Sequence, residues 1–349
     1  MIAARPARAG SRLVAVDGVR GERAVPNAEV AGAIDSSDEW IRSRTGIATR
    51  ARADADTGVL DLAEEAARRT LARAALDPAD VDAVLFASIT YFVQTPAAAP
   101  VLAERLGARG AAAFDLSAAC AGYCYGIGLA DSLVRSGQAE HVLVVGADKL
   151  SGFVDPTDRT ISFILGDGAG AAVVGPAERP LIGPTVWGSE GAKAGAVGQD
   201  RTWAEAVATG VAPTLRQEGP TVYKWAVFTM AQAARDAIAA AGLTPDQIEV
   251  FIPHQANLRI IEQQVKRIGL APGTIVAEDI RETGNTSAAS IPLAAERLQR
   301  DLGDLGGKLA LQIGFGAGLA YAAQVVELPP AAGAAGGPRS VPEPTQQGN

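Results

Sequence analysis

Two stretches of the sequence resemble each other: AEEAARRTLARAALDPADVDAVLFAS at residues 63–88 and MAQAARDAIAAAGLTPDQIEVFIPHQ at residues 230–255. An Ala-Ala-Arg step and a Leu-x-Pro turn recur in both at a constant spacing, since Leu76 corresponds to Leu243 and 243 − 76 = 167. Each stretch has apolar residues at helical spacing, a turn, and then a short apolar run, which predicts a helix followed by a buried strand. The repeat therefore indicates a duplicated unit.

A second pair of stretches follows the first. HVLVVGAD at 141–148 and GDGAGAAVVG at 166–175 resemble the later LALQIGFGAGLAYAAQVV at 309–326. The offset between the two glycine-rich motifs is 148 (316 − 168), so we expect the first half to carry roughly 20 extra residues (167 − 148 = 19) around 149–167. Mostly apolar strands that alternate with helices are typical of an α/β fold with buried sheets.

This pattern divides the chain into four parts. We expect a first half at 1–187, an irregular glycine-rich linker at 188–220 and a second half at 221–328. The last stretch, PPAAGAAGGPRSVPEPTQQGN at 329–349, has too little apolar content to offset the cost of ordering, which predicts a disordered tail.

The composition excludes several classes of protein. The chain has 349 residues, 48% of them hydrophobic, and a net charge of −8, which argues against a general nucleic-acid or anionic-membrane binder. Its two cysteines supply neither a disulfide framework nor a four-cysteine metal site. The sequence shows no signal peptide and no long apolar span, so we expect a cytoplasmic protein.

One of the two cysteines stands in the stretch DLSAACAGYCYGIGLADSLVRSG at 115–137, where small residues turn into an amphipathic helix. Cys120 therefore lies at or near a helix N-terminus, where free N–H groups and the helix dipole lower the pKa of a thiol. The local pattern fits a nucleophile and a small buried core residue equally well. Cys124, one turn further on, is interpreted as a core residue.

Two other polar side chains stand at comparable junctions. His254 follows the predicted strand VFIP and opens the polar stretch HQANLRI, whereas His141 begins a strand at the surface and receives no role. Asn285 in ETGNTSAAS is, by itself, typical of a helix N-cap. Because 120 + 167 = 287, Cys120 occupies nearly the same place in the first repeat as the turn 285–287 in the second. We therefore expect the thiol, the imidazole and the amide to meet near a pseudo-twofold axis.

Five motifs together, DLSAACAGY, GDGAGAAVVG, PHQANLRII, GNTSAAS and GFGAGL, resemble in order and spacing the β-ketoacyl-[acyl carrier protein] synthase III branch of the thiolase superfamily. The resemblance runs from about Leu13 to Val326. It implies a thiolase-like duplicated fold with α-β-α-β-α layers. It also implies a catalytic triad of Cys120, His254 and Asn285.

The resemblance implies a reaction in two stages. An acyl group passes from coenzyme A to Cys120, and malonyl-carrier protein then loses CO2 and attacks the acyl-enzyme. His254 and Asn285 are neutral donors suited to the oxygen of the malonyl thioester. The backbone N–H groups of Cys120 and Ala317 are implied to hold the acyl oxyanion. Acyl-CoA is a substrate, and neither a metal nor a tightly bound cofactor is expected.

The resemblance also implies binding positions. Trp40, Arg44 and Arg159 match nucleotide contacts of coenzyme A, and Asn257 matches a pantetheine contact. Thr95 matches a position where acetyl-using members carry a bulky aromatic side chain that closes the acyl pocket across a homodimer interface. A smaller threonine there suggests branched or longer starter groups.

A carrier-protein docking surface is expected on the helix that follows His254. Arg259, Lys266 and Arg267 lie at i, i+7 and i+8, which places them on one helical face, and Lys224 matches a family position near the same entrance. Carrier proteins are acidic, so a local cationic patch would guide their approach. The alternative is an ordinary solvated helix face.

Other functions remain open at the level of the sequence. An acyltransferase of the same fold would move the acyl group to another acceptor without decarboxylation, although it has less use for Asn285. An inactive partner subunit that binds chains would not need the intact triad. A papain-type thiol hydrolase also uses Cys, His and Asn, but the local cysteine signature is missing. The sequence does not distinguish fatty acid from polyketide synthesis, nor one starter group from another.

Overall fold

The structure, a computed structural model, describes residues 5–331. Its strands are β1 (Gly10–Arg20), β2 (Arg23–Pro26), β3 (Thr49–Arg52), β4 (Ala83–Ala87), β5 (Ala112–Leu116), β6 (Val142–Lys149), β7 (Asp167–Ala177), β8 (Val186–Ser189), β9 (Val197–Gln199), β10 (Leu215–Gln217), β11 (Val250–Pro253), β12 (Ile275–Val276), β13 (Leu309–Gly316) and β14 (Ala320–Glu327). Its helices are α1 (Asn27–Ala31), α2 (Asp38–Thr45), α3 (Val59–Ala74), α4 (Ala98–Leu106), α5 (Gly122–Arg135), α6 (Trp203–Thr209), α7 (Gly219–Ala240), α8 (Leu258–Ile268), α9 (Ile280–Thr283) and α10 (Ser290–Leu302).

The two large sheets have the same topology. The first has the order β1-β7-β6-β4-β5 and the second the order β8-β14-β13-β11-β12, each with five strands. In the first sheet β4 is parallel to β5 and β6, and β7 is antiparallel to β6 and β1. The corresponding pairs of the second sheet have the same directions. The predicted duplication is therefore present strand by strand.

Strands buried on both faces explain the apolar runs in the sequence. In β4, Val84 and Phe86 pack in one cluster with α3 and α4, whereas Ala83 and Leu85 pack in another with α5 and α10. Helices α5 and α10 contact both sheets and lie between them, and α7 covers the far face of the second sheet. These layers form the α-β-α-β-α arrangement, which confirms the predicted thiolase-like fold class.

The repeat offset of 167 holds for the first pair of elements, since β4 begins at 83, β11 begins at 250, and 83 + 167 = 250. The offset inferred from the glycine-rich motifs is wrong. Asp148 pairs with Gly168 in the first sheet, and Phe315 pairs with Tyr321 in the second, so the true offset is 153 (321 − 168). The first half thus carries 14 extra residues (167 − 153). The estimate from the two motifs failed because GDGAG begins a strand whereas GFGAG ends one.

The expected domain boundaries cut through observed elements. Strand β8 spans the boundary at 187 and pairs with β14 of the second sheet. The expected linker 188–220 contains β9, α6 and β10, and the Leu215 N–H binds the Phe153 carbonyl of the first half. Of the tail expected at 329–349, residues 332–349 lie outside the part of the chain that the structure describes.

Residues 5–331 lack two features that other classes of protein have. No helix there is long and apolar enough to cross a bilayer. The same residues contain no group of three or more His, Cys, Asp or Glu side chains placed to hold a metal ion.

Candidate active site

Cys120 lies in a 3₁₀ turn, Ala119–Ala121, that leads directly into α5. The predicted position at a helix start is therefore observed. The end of β13 approaches this turn closely: a Cβ on Gly316 would lie 2.9 Å from Cβ and 3.1 Å from Sγ of Cys120. A glycine is required at 316, because any side chain there would displace the thiol.

The electrostatics of this thiol differ from the expectation. Burial raises the pKa of Cys120 from its ordinary 9.0 to about 12, and the nearby Ser287 side chain only partly offsets this. Burial therefore acts against the lowering of the pKa that the helix dipole predicts, and the lowered pKa stays a prediction.

His254 follows β11 and is held by the neighbouring strand β13. Its N–H donates to the Ile313 carbonyl at 2.8 Å, and its ring meets the edge of Phe315 at 5.2 Å between centroids. Nδ1 lies 2.7 Å from the hydroxyl of Ser290, the first residue of α10. Burial lowers the pKa of His254 to about 3, so the imidazole is neutral at physiological pH.

Asn285 lies two residues before the 3₁₀ turn Ser287–Ala289, which leads into α10. Its backbone N–H donates to Ile164 and its carbonyl accepts from Gly166, so the chain is held on both sides. Oδ1 accepts the N–H of Ser287 at 2.9 Å. Because the oxygen is thereby engaged, Nδ2 is the free end of the amide and can act as a donor.

A small cavity of about 50 Å³ brings the three groups together. Cys120, His254 and Asn285 all line it, and Ala317 lines it beside the thiol. The remaining wall is mostly apolar, with Ile89, Leu150, Ile161, Leu165, Val197, Leu215, Val222, Ala256 and Phe315. The structure thus places both residues of the expected oxyanion pocket and all three of the expected triad at one cavity.

The turns that carry Cys120 and Asn285 are structural counterparts. The 3₁₀ turns 119–121 and 287–289 are separated by 168 residues, and Ala119 and Ser287 both have positive φ, 47° and 53°. The structural partner of Cys120 is therefore Ala288 rather than Ser287, one residue from the sequence-based estimate.

Three of the residues expected to bind coenzyme A form one cluster, in which a half-buried Trp40 lies between the exposed Arg44 and Arg159. The guanidinium carbons of Arg44 and Arg159 lie 5.8 Å and 5.1 Å from the centre of the Trp40 ring. The ring also meets Phe163 edge to face at 5.4 Å. An indole flanked by two guanidinium groups offers stacking and phosphate contacts at a single site.

Asn257 has a structural role in the free protein. Its Oδ1 caps α8 by accepting the Arg259 N–H at 2.9 Å, and its Nδ2 donates to the Arg44 carbonyl at 3.1 Å. This residue therefore ties the helix after His254 to the segment that carries Trp40.

Thr95 is exposed and does not line the cavity of its own chain. Its expected part in the acyl pocket therefore depends on a second copy of the chain. The nearby Phe92 and Val93 are each 48% exposed.

The expected docking face is exposed as the helical spacing predicted. Lys224, Arg259, Lys266 and Arg267 are all exposed, whereas Ile260, Ile261 and Ile268 on the opposite face of α8 are buried. The Arg267 guanidinium lies 4.0 Å from the centre of the half-exposed Phe228 ring, and Arg259 lies 5.9 Å from the Tyr223 ring.

Sequence reasoning missed three polar side chains around the cavity. Ser287 and Ser290 stand inside the quoted GNTSAAS motif, where hydroxyls at the start of a helix could have been recognised as hydrogen-bonding partners. Asp148 is the last residue but one of the apolar strand β6, and a carboxylate near the end of a buried strand is a signal that could have been found.

A thiol, a neutral imidazole and a carboxamide at one apolar cavity of a thiolase-like fold suit acyl transfer and carbanion chemistry.

Comparisons with known proteins point to the same chemistry. The family 3-oxoacyl-[acyl-carrier-protein (ACP)] synthase III matches residues 114–191, and its C-terminal family matches 238–328. A β-ketoacyl-[acyl-carrier-protein] synthase III of Streptomyces coelicolor is 50% identical over 331 residues, which cover 91% of this chain and 96% of the relative.

A mycobacterial β-ketoacyl-[acyl-carrier-protein] synthase III of Mycobacterium avium is 51% identical over 320 residues, covering 91% of this chain and 96% of the relative. The solved structure of the priming β-ketosynthase from the R1128 polyketide biosynthetic pathway superimposes with a TM-score of 0.91 at 45% identity, covering 94% of this chain and 98% of that one. The chain belongs to the β-ketoacyl-[acyl carrier protein] synthase III family. It is an acyltransferase that catalyses the condensation initiating fatty acid or polyketide synthesis.

Proposed function

We propose that Cys120 is the nucleophile of a decarboxylative Claisen condensation between an acyl-CoA and malonyl-acyl carrier protein, with His254 and Asn285 as donors to the enolate oxygen. One observation supports this assignment above all. The thiol and both donors line the same cavity, and each donor has its other polar atom engaged, His254 by Ser290 at the start of α10 and Asn285 by Ser287 in the turn before it.

In the first half-reaction, Sγ of Cys120 attacks the thioester carbonyl of the acyl-CoA, and coenzyme A leaves. The developing oxyanion lies beside the backbone N–H groups of Cys120 and Ala317. Preformed donors of this kind lower the barrier because they need no reorganisation as charge develops.

In the second half-reaction, the malonyl group loses CO2 and leaves an enolate, whose carbon attacks the acyl-Cys120 carbonyl. Negative charge develops on the malonyl thioester oxygen. Nε2–H of the neutral His254 and Nδ2–H of Asn285 donate to it, and neither carries a charge that would have to be buried.

The Trp40, Arg44 and Arg159 cluster is assigned to the nucleotide end of the acyl-CoA. The indole face takes the adenine, and the guanidinium groups take phosphate oxygens. Asn257 has an Nδ2–H to spare for pantetheine beyond its bond to Arg44. Acyl-CoA enters as a substrate, and no chemical step requires a tightly bound cofactor.

Two further assignments concern assembly and location. Strand β5 is an edge strand with Phe114 39% exposed, and pairing with β5 of a second copy would cover both its edge and this ring. A homodimer formed in this way would let Thr95 reach the acyl pocket of the partner subunit.

A cytoplasmic location suits a nucleophilic thiol, which must stay reduced.

The experiment is intact-mass detection of acyl-Cys120 with a panel of acyl-CoAs, followed by addition of malonyl-carrier protein. Cys120→Ala should prevent acylation, whereas His254→Ala and Asn285→Ala should still acylate but lose condensation. An Asn285→Ala enzyme that condensed at the wild-type rate would exclude its assigned role. Acyl transfer to another acceptor without CO2 release would favour the acyltransferase alternative.

The dimer is tested by sedimentation of the purified chain with and without Phe114→Glu. A dimeric wild type and a monomeric variant are expected. A wild type that is monomeric at assay concentration would exclude the shared acyl pocket.

A further inference from the structure

Arg50, on β3, is a guanidinium buried inside the protein. Its Nη1 donates to the Val25 carbonyl of the paired strand β2 at 3.1 Å, and its Nη2 donates to Oδ1 of Asn27. Both acceptors are neutral oxygens, and Nε has no hydrogen-bond partner among residues 5–331. A buried charge held in this way is costly, and one use of such a group is to fix a geometry.

Asn27 extends this connection to both ends of α2. Its side chain is buried, and Nδ2 donates to Oδ1 of Asp38 at 2.7 Å and to the Ile47 carbonyl at 2.8 Å. Asp38 is the first residue of α2, and Ile47 directly follows Gly46, which caps the end of the helix. With Oδ1 bonded to Arg50, the amide uses its oxygen and both of its N–H groups. One side chain therefore holds the helix at its start and at its end.

Helix α2 depends on such contacts for its position. It has eight residues, and isolated helices shorter than about 12 residues are marginal in water. The helix carries Trp40 and Arg44, which form the cluster with Arg159. Stacking on the indole and phosphate contacts with the guanidinium groups both require defined positions. The position of α2 therefore sets the shape of this cluster.

The other side of β3 is anchored to the segment before Asn285. The hydroxyl of Thr49 donates to the Glu282 carbonyl at 2.8 Å. A Cβ on Gly284 would lie 2.9 Å from Cβ of Arg50, so the two backbones are in close contact. Asn285 follows directly. A continuous set of contacts thus runs from the segment of the proposed enolate donor, through Arg50, to α2.

We propose that Arg50 and Asn27 are positioning residues for the nucleotide end of acyl-CoA. They fix α2 against the segment before Asn285, so that Trp40 and Arg44 hold the nucleotide. This proposal rests on the proposed function, which assigns the cluster of those two side chains to the nucleotide. Both positioning residues are buried, so they act through the helix.

The acyl donor can be varied in the part that α2 would hold. Acyl-CoA carries an adenine nucleotide, whereas an acyl-pantetheine has the same thioester and the same arm without the nucleotide. Malonyl-carrier protein also lacks adenine. A displaced α2 should therefore weaken the use of acyl-CoA alone, whereas a damaged fold should weaken the use of every substrate.

The test measures KM and kcat for acylation of Cys120 by acyl-CoA and by the matching acyl-pantetheine. Asn27→Ala removes both bonds to α2, and Arg50→Lys keeps the charge but loses the planar fork. Asp38→Ala removes one bond at an exposed position.

Two variants are matched to Asp38→Ala. Asp38→Asn loses the charge and the ion pair with Arg42 but retains an acceptor for Asn27. Glu39→Ala removes another exposed carboxylate from the same first turn, and Glu39 accepts neither of the Asn27 bonds.

Asn27→Ala, Arg50→Lys and Asp38→Ala should each raise the KM for acyl-CoA about tenfold, the change expected when one hydrogen bond to a charged group is lost. Acylation by acyl-pantetheine, and condensation by pre-acylated enzyme, should be unchanged. Asp38→Asn and Glu39→Ala should behave as the wild type. Equal losses with both acyl donors would show a purely structural role and overturn the proposal.

A double-variant cycle tests whether the effect passes through α2. Trp40→Ala should reduce the preference for acyl-CoA over acyl-pantetheine, and Asn27→Ala should add little to that loss, because both changes act on the same contact. Full additivity of the two changes would overturn the positioning role. If Asn27→Ala does not fold, the exposed Asp38→Ala takes its place in the cycle.

The same measurements separate the two possible failures. If Trp40→Ala kept the full preference for acyl-CoA, the assignment of the cluster to the nucleotide would fail, and the positioning role with it. If Trp40→Ala lost the preference while Asn27→Ala and Asp38→Ala kept it, the positioning role alone would fail.

Discussion

The hydroxyl of Ser290 lies 2.7 Å from Nδ1 of His254 and accepts the N–H of Gln255 at 3.3 Å. Because its oxygen accepts from Gln255, its hydrogen is free to be donated to Nδ1. A hydroxyl that donates to Nδ1 leaves the imidazole proton on Nε2, which is the tautomer that the proposed donor to the enolate oxygen requires. We therefore infer that Ser290 is a positioning residue for His254.

Replacing Ser290 with alanine should slow condensation about tenfold or more, because the wrong tautomer of His254 then competes. Acylation of Cys120 should be little affected, since the proposed mechanism assigns His254 to the condensation. The two half-reactions are measured separately with pre-acylated enzyme. Ser132→Ala is a suitable control, because Ser132 is also helical but bonds to the Gly128 carbonyl within α5. Equal losses in both half-reactions would indicate a folding defect instead.

The decarboxylation step should show no inflection from His254 between pH 5 and 8. Burial lowers the pKa of His254 from 6.5 to about 3, so the ring stays neutral throughout this range. Malonyl-carrier protein decarboxylation by pre-acylated enzyme is measured against pH, with His254→Gln as the comparison because it retains a neutral donor. A wild-type rate that fell around pH 6.5 and became flat in the glutamine variant would contradict a neutral imidazole.

Asp148→Asn should stabilise the protein above pH 6. The folded-state pKa of about 6 lies above the ordinary 3.8, so the folded state binds more protons between these values and loses stability as the pH rises through them. The difference corresponds to roughly 3 kcal/mol at pH 8. Urea unfolding at pH 4 and pH 8 should show a gain for the variant at pH 8 that nearly disappears at pH 4. A variant less stable than the wild type at pH 8 would indicate that the lost carboxylate hydrogen bonds matter more.

Thr95→Phe should shift the starter preference toward acetyl-CoA. Each methylene that the smaller threonine admits contributes about 0.8 kcal/mol when buried, close to a fourfold change in kcat/KM per carbon. Competition between acyl-CoAs of increasing length gives the profile, and Thr95→Ser serves as a control that keeps the pocket open. An unchanged profile in the phenylalanine variant would remove Thr95 from the acyl pocket.

Reversing Arg259 and Lys266 to glutamate should raise the KM for malonyl-carrier protein several-fold and leave acylation by acyl-CoA little changed. The acidic partner would lose its cationic target, so the wild type should also be more salt-sensitive than the variant. Arg69→Glu, on the exposed face of α3, is the control for charge alone. If both half-reactions lost activity equally, the docking surface would have to be placed elsewhere.

Local patterns in the sequence were enough to predict much of this protein. Three of the predictions depend on residues within about one helical turn or one strand. They are the elements of the 167-residue repeat, the helix start at Cys120 and the strand end before His254. Hydrophobic periodicity and turn residues are local signals of this kind, so they predicted the duplicated α/β unit and the approach of the three groups to one axis, whereas the five-layer fold was implied by the resemblance of five motifs to a known family.

Tertiary packing decided how these groups behave. Burial raises the pKa of Cys120, and Gly316 and the turn at Ser287, which pack against its turn, both come from the other half of the chain. The ring of His254 is oriented by Ser290, and Asp148 comes near Cys120 only through the pairing of distant strands and turns. Desolvation and hydrogen-bond partners depend on what packs against a residue from far along the chain, and periodicity contains no information about those neighbours.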